Sequence, residues 1–191
     1  MKRVVQAFGA AIVLAVALSS GGPVLAEDAN RQTLVLATPK ADDPYYADAY
    51  DRILRYQADY VALAAPHDDV VIFTDQAGYD ILSETVPPEN LVLAPLEDIW
   101  TRDVAPVEPN RPLQFRYAAA AQGGDQDDAD FVQDVFNDTM ADLGVRYRGS
   151  DLILDGGNYV SDGRVRGGHV IVTERFQEDN DVTRFEGRKL L

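Results

Sequence analysis

Short apolar runs separated by a helical stretch constrain the fold of this chain more than any other feature of its sequence. Residues 33–37 (TLVLA) and 70–74 (VVIFT) are continuous apolar runs of strand length, and they predict two β-strands. Residues 42–64 lie between them and predict a helix. Asp42 and Asp43 precede Pro44, which suits the first helical turn, and the apolar side chains that follow recur at helical spacing. Because strand–helix–strand units build layered α/β proteins, the predicted fold class is α/β.

The same alternation continues along the chain. Further strands are predicted at residues 90–95, 113–117 and 151–154, followed by a hairpin of residues 159–161 and 168–173. Further helices are predicted at residues 76–85 and 128–143, and a last one begins near residue 179. The tyrosines of the first helix are expected to pack against a sheet: Tyr46, Tyr50, Tyr56 and Tyr60.

Acidic residues are concentrated between positions 125 and 130, where a calcium loop is one interpretation. An EF-hand loop needs Gly at its sixth position and Glu at its twelfth. Counted from Asp125, those positions hold Asp130 and Phe136, so the pattern fails. The acids are therefore predicted to lie at the positive amino end of the following helix.

Composition limits the chemistry that this chain can perform. It contains no cysteine, which excludes disulfides, thiolate metal sites and a cysteine nucleophile among these 191 residues. The formal net charge of −15 disfavours nucleic acid and anionic lipid and attracts cationic substrates, although acidity can also serve only to keep an exported protein soluble. Because no phosphate loop or transition-metal ligand set is evident, no cofactor is expected.

The first 26 residues have the features of a signal peptide. Lys2 and Arg3 form a basic start, residues 7–18 are apolar, and Val24-Leu25-Ala26 supplies small residues for cleavage. The apolar stretch is shorter than the roughly 20 residues that a membrane span needs. We therefore expect residues 1–26 to be removed on export and residues 27–191 to form the mature chain, without membrane attachment.

The segment Asp98–Pro106 (DIWTRDVAP) follows a predicted buried strand and contains the only Trp of the chain. A carboxylate beside an indole ring suits a planar cation such as guanidinium, since the acid accepts paired hydrogen bonds and the ring adds cation–π attraction. The alternative is structural: Trp100 packs in the core while Arg102 pairs with Asp98 or Asp103.

A second motif, Asp155-Gly156-Gly157-Asn158, follows the predicted strand 151–154. Two adjacent glycines let a backbone approach a ligand closely or adopt positive φ. An ordinary turn explains the same residues equally well.

Together with Val172-Thr173-Glu174, these two motifs resemble the agmatine deiminase and bacterial peptidylarginine deiminase family. Members hydrolyse guanidinium groups to ureido groups and release ammonia. The resemblance implies an α/β propeller of repeated blades around a central site. It extends from about Leu34 to the end of the chain and covers roughly the first half of the family's domain, or two to three of five blades. Ala105 departs from the pattern, since the family usually has Gly there.

The resemblance also implies roles for particular residues. Asp103 would be a catalytic carboxylate that grips the guanidinium, and the substrate-binding residues would be Trp100, Asp103, Gly156, Gly157 and Asn158. The implied substrates are a small guanidinium compound such as agmatine or an arginyl peptide.

In the family a Cys attacks the guanidinium carbon and a His moves protons, and both belong to later segments. His67 and His169 do not match that context and are predicted to be exposed. The chain is therefore expected to be an amino-terminal portion of a deiminase. Two alternatives are an inactive guanidinium-binding module and an exported acidic interaction domain, and an oligomer is possible.

Overall fold

The computed structural model describes residues 31–94, 96, 98–108, 111–118, 125–164 and 168–191. The predicted signal peptide of residues 1–26 lies outside the described residues. The strands within them are β1 Thr33–Ala37, β2 Asp69–Thr74, β3 Leu91–Leu93, β4 Leu113–Arg116, β5 Arg148–Ile153, β6 Val160–Ser161 and β7 Val170–Ile171. The α-helices are α1 Tyr50–Ala64, α2 Gln76–Leu82, α3 Thr101–Val104, α4 Gln126–Asp142, α5 Arg175–Asp179 and α6 Arg184–Leu190. The predicted α/β class is confirmed.

Strand β2 is the middle strand of a parallel three-stranded sheet with the order β1-β2-β3. Its residues 70–73 are at most 2% exposed, as expected for a strand that is covered on both faces. On one face, Leu54 of α1 and Leu82 of α2 belong to the same core as Val70 and Ile72. On the other face, α4 places Phe136 against Phe73, with ring centroids 5.8 Å apart. The sheet is therefore the centre of the two largest cores described.

Helix α1 begins at Tyr50, so the predicted start near residue 42 is wrong. Residues 41–49 instead form turns, in which the Tyr46 amide donates to Asp43 and the Ala49 amide donates to Tyr46. The Tyr46 side chain is buried and bonded to Asp98, so a contact distant in sequence outweighs the local start signal at Pro44.

The face of α1 that packs on the sheet is narrower than predicted. Its buried residues are Leu54, Gln57 and Val61, whereas Tyr56 is 64% exposed. The prediction that all four tyrosines pack on a sheet is therefore wrong for Tyr56, which instead contacts the ring of Tyr60 at the surface.

The second half of the chain forms two small sheets. Strands β4 and β5 are parallel, and β6 and β7 form the predicted hairpin through the pairs Val160↔Ile171 and Ser161↔Val170. Helix α4 precedes β5, and its first-turn amides donate to Asp125, which confirms that the acids lie at a helix amino terminus. These small sheets share a separate core of five buried residues: Val107, Phe115, Leu154, Tyr159 and Phe176.

The last helix, α6, begins at Arg184, so the predicted start near residue 179 is wrong; a separate short helix, α5, ends there instead. Asp181, between the two helices, has a φ of 49°, in the left-handed region that a helix does not adopt. A capping box then starts α6, since the Thr183 side chain accepts from the Glu186 amide while the Glu186 carboxylate accepts from the Thr183 amide. Among the described residues, no helix is both long and apolar enough to cross a membrane.

Candidate functional site

The segment Asp98–Pro106 is fixed by its neighbours at both ends of the short helix α3. The Thr101 hydroxyl donates to the carbonyl of Val35 in β1 at 3.0 Å. The Gln114 side chain in β4 donates to the carbonyl of Val104 at 2.7 Å, and Val104 itself is 1% exposed. The motif therefore bridges the first sheet and β4, and Asp103 is held between these two anchors.

The two glycines of the second motif pack directly against the first motif. A Cβ atom added at Gly156 would overlap the carbonyl oxygen of Arg102, and one added at Gly157 would overlap Oδ1 of Asp103. Neither glycine is among the positive-φ glycines of the described chain. Close packing, and not positive φ, therefore explains the two glycines. The turn that they form lies directly against the carbonyl of Arg102 and the side chain of Asp103.

The Asp103 carboxylate lies in an environment that resists its ionisation. Burial raises its pKa most, the neighbouring Asp155 raises it further, and Asp98 adds a smaller increase. A hydrogen bond from the Gly157 amide and the charge of Arg102 oppose this shift. The net effect is a raised pKa, as expected for a carboxylate that shares a site with like charges.

Asp155 is the second carboxylate of this site. Burial raises its pKa, while a hydrogen bond from the Ala118 amide (3.2 Å) and the charge of Arg175 partly oppose the rise. Within the described chain, neither Asp103 nor Asp155 forms an ion pair. The site therefore holds two carboxylates to which no described residue gives a direct cationic partner.

Trp100 is 58% exposed, which excludes the interpretation that it packs in the core. It is connected instead to a residue that the sequence did not single out as functional. The Tyr46 hydroxyl donates to Oδ1 of Asp98 at 2.7 Å, and burial together with this bond raises the pKa of Tyr46. The neighbouring Trp100 side chain partly opposes this rise in pKa. Tyr46 thus bonds to the first residue of the sequence Asp98-Ile99-Trp100 and lies close to the last.

No local pattern could have identified Tyr46, because 52 positions separate it from Asp98. Its spacing fits the apolar face of a helix, which is the basis on which we predicted a packing role. Only the fold brings it to the motif. Tyr45 lies edge-on to it, with ring centroids 4.8 Å apart, and is itself 81% exposed.

Arg102 and Asn158 have structural partners. An Arg102 guanidinium nitrogen donates to the carbonyl of Tyr159 at 3.1 Å, and no ion pair with Asp98 or Asp103 is present. Asn158 donates to the Thr173 hydroxyl at 2.7 Å, which joins the second motif to the third. Both residues therefore brace the segments that carry the two carboxylates.

Neither histidine belongs to this site. Both are exposed as predicted, and His169 lies 3.1 Å from the Asp162 carboxylate on the β6–β7 hairpin. Among the described residues, no group of three or more His, Asp or Glu side chains could hold a metal ion.

The fold and site define a class: an α/β protein in which loops at the carboxyl ends of parallel strands bring two carboxylates together. Residues 23–184 match the family model described as Porphyromonas-type peptidyl-arginine deiminase. The chain belongs to this family, as the motifs of residues 98–106 and 154–158 indicate. No curated protein matches the sequence.

Solved structures support the fold. The chain is similar to agmatine deiminase from C. jejuni, with a TM-score of 0.64 and 14% identity over 84% of this chain and 49% of that one. A Cys-to-Ser variant of that enzyme with substrate bound gives a TM-score of 0.64 and 16% identity, over 88% of this chain and 52% of that one. A crystal structure of a candidate peptidyl-arginine deiminase gives a TM-score of 0.65 and 18% identity, over 88% of this chain and 52% of that one. The chain spans about half the length of each.

Proposed function

We propose that this chain binds a guanidinium group at Asp103 and supplies the carboxylate portion of a deiminase site. The observation that carries the proposal is the pair Asp103 and Asp155, two partly buried carboxylates with raised pKa and no ion-pair partner in the described chain. Family membership gives the cation its chemical identity, since the family is named for action on peptidyl-arginine.

A bound guanidinium group would offset the free-energy cost of burying these two carboxylates. Hydrogen bonds to charged groups contribute about 1.5–3 kcal/mol, and an exposed cation–π contact with Trp100 adds about 0.5–1 kcal/mol. Because Trp100 is largely exposed, the indole contributes near the lower end. The resulting affinity of the chain alone is on the order of millimolar.

Hydrolysis of the bound guanidinium needs a strong nucleophile and a group that protonates the departing ammonia. The 191 residues contain no cysteine, and neither histidine is among the groups that act on the Asp103 carboxylate. In this proposal Asp103 binds and orients the substrate, while Trp100 and the Gly156-Gly157 turn shape the space around it. Binding without turnover is therefore the expected behaviour of these residues by themselves.

The substrate class is a guanidinium compound, with agmatine and a peptidyl-arginine side chain as the two candidates. The structural relative with substrate bound is an agmatine deiminase, whereas the family description names peptidyl-arginine. In the propeller arrangement proposed here, the three sheets correspond to two to three blades. The site would lie at the centre, where the loops after β3 and β5 meet.

We also propose that the protein is exported and cleaved after Ala26, on the basis of Lys2, Arg3 and the apolar residues 7–18. Intact-mass analysis of protein from the cell envelope or medium should give a chain that begins at Glu27. A mature chain that retains Met1 would contradict export.

Titration with agmatine, followed by NMR of the Trp100 indole, tests the binding proposal. The wild-type indole signal should shift with a dissociation constant in the millimolar range, and Asp103→Asn should abolish the shift, because it keeps the shape and removes the charge. Asp59→Asn, at an exposed position of α1, is the control and should bind as wild type does.

Unchanged agmatine binding in Asp103→Asn would show that the site is wrong. Production of citrulline or carbamoylputrescine by the cysteine-free chain would show that the mechanism is wrong.

A further inference from the structure

A cavity of about 390 Å³ lies at the amino ends of β4 and β5. Its walls include Leu113, the first residue of β4, and Arg148, the first residue of β5. Asp155 follows the other end of β5, so Arg148 and the carboxylate site lie at opposite ends of this strand. Tyr159 lies between the two sites, since it lines the cavity and its carbonyl accepts a hydrogen bond from Arg102. The volume falls within the range of small-molecule sites.

Two arginines line this cavity without an acidic partner in the part of the chain that the structure describes. Arg111 and Arg148 form no ion pair and donate no side-chain hydrogen bond within the described residues. They are brought together by the sheet, because the Arg148 amide donates to the carbonyl of Pro112, next to Arg111. Both arginines are exposed, and Arg55 of α1 likewise has no ion pair among the described residues. What distinguishes Arg111 and Arg148 is that they line the same cavity.

Two acidic residues also line this cavity, Glu108 and Asp162. Glu108 accepts a hydrogen bond from the Tyr159 hydroxyl at 3.0 Å. Asp162 lies 3.1 Å from His169 and 3.7 Å from the Arg164 guanidinium. Among the described residues that line the cavity, the three arginines Arg111, Arg148 and Arg164 outnumber the two carboxylates by one. Because Arg164 lies beside Asp162, Arg111 and Arg148 supply this excess positive charge. Leu113, Tyr159 and Val170 form the neighbouring apolar wall.

We propose that this cavity binds a small molecule through a carboxylate or phosphate group held by Arg111 and Arg148. Guanidinium groups present several N–H donors in a planar fork, which matches the oxygens of such an anion. The Tyr159 ring and Leu113 would cover the apolar part of the ligand. The site is separate from Asp103 and does not depend on the proposed guanidinium binding.

Inorganic phosphate and acetate serve as probes, added to the purified protein at constant ionic strength with chloride as the balancing ion. Constant ionic strength removes general screening as a cause of any change. The backbone amides of Leu113 and Arg148 should shift with a saturable dissociation constant on the order of millimolar for the preferred probe. The probe that binds more tightly identifies the anion as phosphate or carboxylate.

Arg148→Gln and Arg111→Gln should each weaken binding by on the order of tenfold, because each removes a charge-assisted contact. Arg55→Gln, at an exposed position of α1 away from the cavity, is the matched control and should leave the affinity unchanged. Thermal unfolding of each variant checks that the fold is intact.

Equal weakening by all three variants would mean a general charge effect and would overturn the site. So would the absence of saturable shifts with both probes. Agmatine binding measured on the same samples should be unchanged in Arg111→Gln and Arg148→Gln, so failure here and failure of the Asp103 site are distinguishable.

Discussion

The first sheet and the two small sheets differ in how completely their side chains are buried. In β2, every residue from Val70 to Thr74 is buried. In the hairpin, by contrast, Val160 and Ile171 are 58% and 71% exposed. Both regions contain apolar strands, yet only the first is covered by helices on both faces. The difference shows that an apolar strand sequence predicts a strand, but burial depends on what the rest of the chain supplies.

The candidate site lies where these two regions meet. Asp103 follows β3 of the first sheet, and Asp155 follows β5 of the second. The Gly156-Gly157 turn is what permits the contact, since a side chain at either position would overlap the Arg102–Asp103 segment. The first sheet, whose middle strand is buried, therefore positions one carboxylate, and the less buried second half brings the other to it.

The largest expected effect concerns the difference in burial itself. Phe73→Ala should lower the free energy of unfolding by about 3–5 kcal/mol, because Phe73 is 0% exposed and contacts Phe136. Ile171→Ala should change it by no more than about 0.5 kcal/mol. Chemical denaturation of both variants checks this, and similar losses would mean that the hairpin is covered in solution.

The contact between the regions is tested at Gly156. An Ala there meets the backbone carbonyl of Arg102, so we expect a loss of about 1–3 kcal/mol in unfolding free energy. The matched control is Gly149→Ala in β5, where an added Cβ has no atom within 4 Å. A Gly156→Ala variant as stable as the control would contradict the close approach.

The bond between Tyr46 and Asp98 should have a smaller effect on stability. Tyr46→Phe removes the hydroxyl and should cost about 1 kcal/mol. It should also change the fluorescence of Trp100, the only Trp, because the bond that is lost holds Asp98, two residues before Trp100. Tyr45→Phe is the control, since Tyr45 is 81% exposed. Equal fluorescence spectra for the two variants would show that Tyr46 is not part of the site around Trp100.

The pH dependence of stability separates the buried from the exposed carboxylates. Asp103 has a folded pKa above its ordinary value of 3.8, so its contribution favours folding at low pH and is lost as pH rises through the folded pKa. Asp103→Asn should therefore gain stability relative to wild type as pH rises through that range. Asp130, whose pKa is lowered by Arg116, should behave oppositely: its contribution is lost as pH falls. Unfolding curves measured across acidic pH give both signs, and equal signs would contradict the assigned environments.

Much of this fold could be predicted from local pattern. Strand β1 spans the predicted residues 33–37, and α4 differs by two residues at its start and one at its end. These elements are determined by apolar periodicity and by the capping group Asp125, which are local properties. The start of α1 could not be predicted, because Tyr46 is held by Asp98, a distant residue.

The site was predictable only in part, for the same reason. The residue types around Asp103 suggest a cation site, and the glycine pair indicates a close approach. That the approaching group is Asp103 itself, rather than a ligand, depends on the packing of the 3₁₀ turn Gly156–Asn158 against α3. The second carboxylate, Asp155, enters the site through that same long-range contact.

The pKa of the Asp103 carboxyl, measured by NMR with and without agmatine, tests guanidinium binding at this carboxylate most directly. Without agmatine, the pKa should lie above 3.8, because burial and Asp155 disfavour the charged form. With saturating agmatine it should fall, since a bound cation favours the carboxylate. A pKa that is the same in both conditions would show that Asp103 does not bind the guanidinium group.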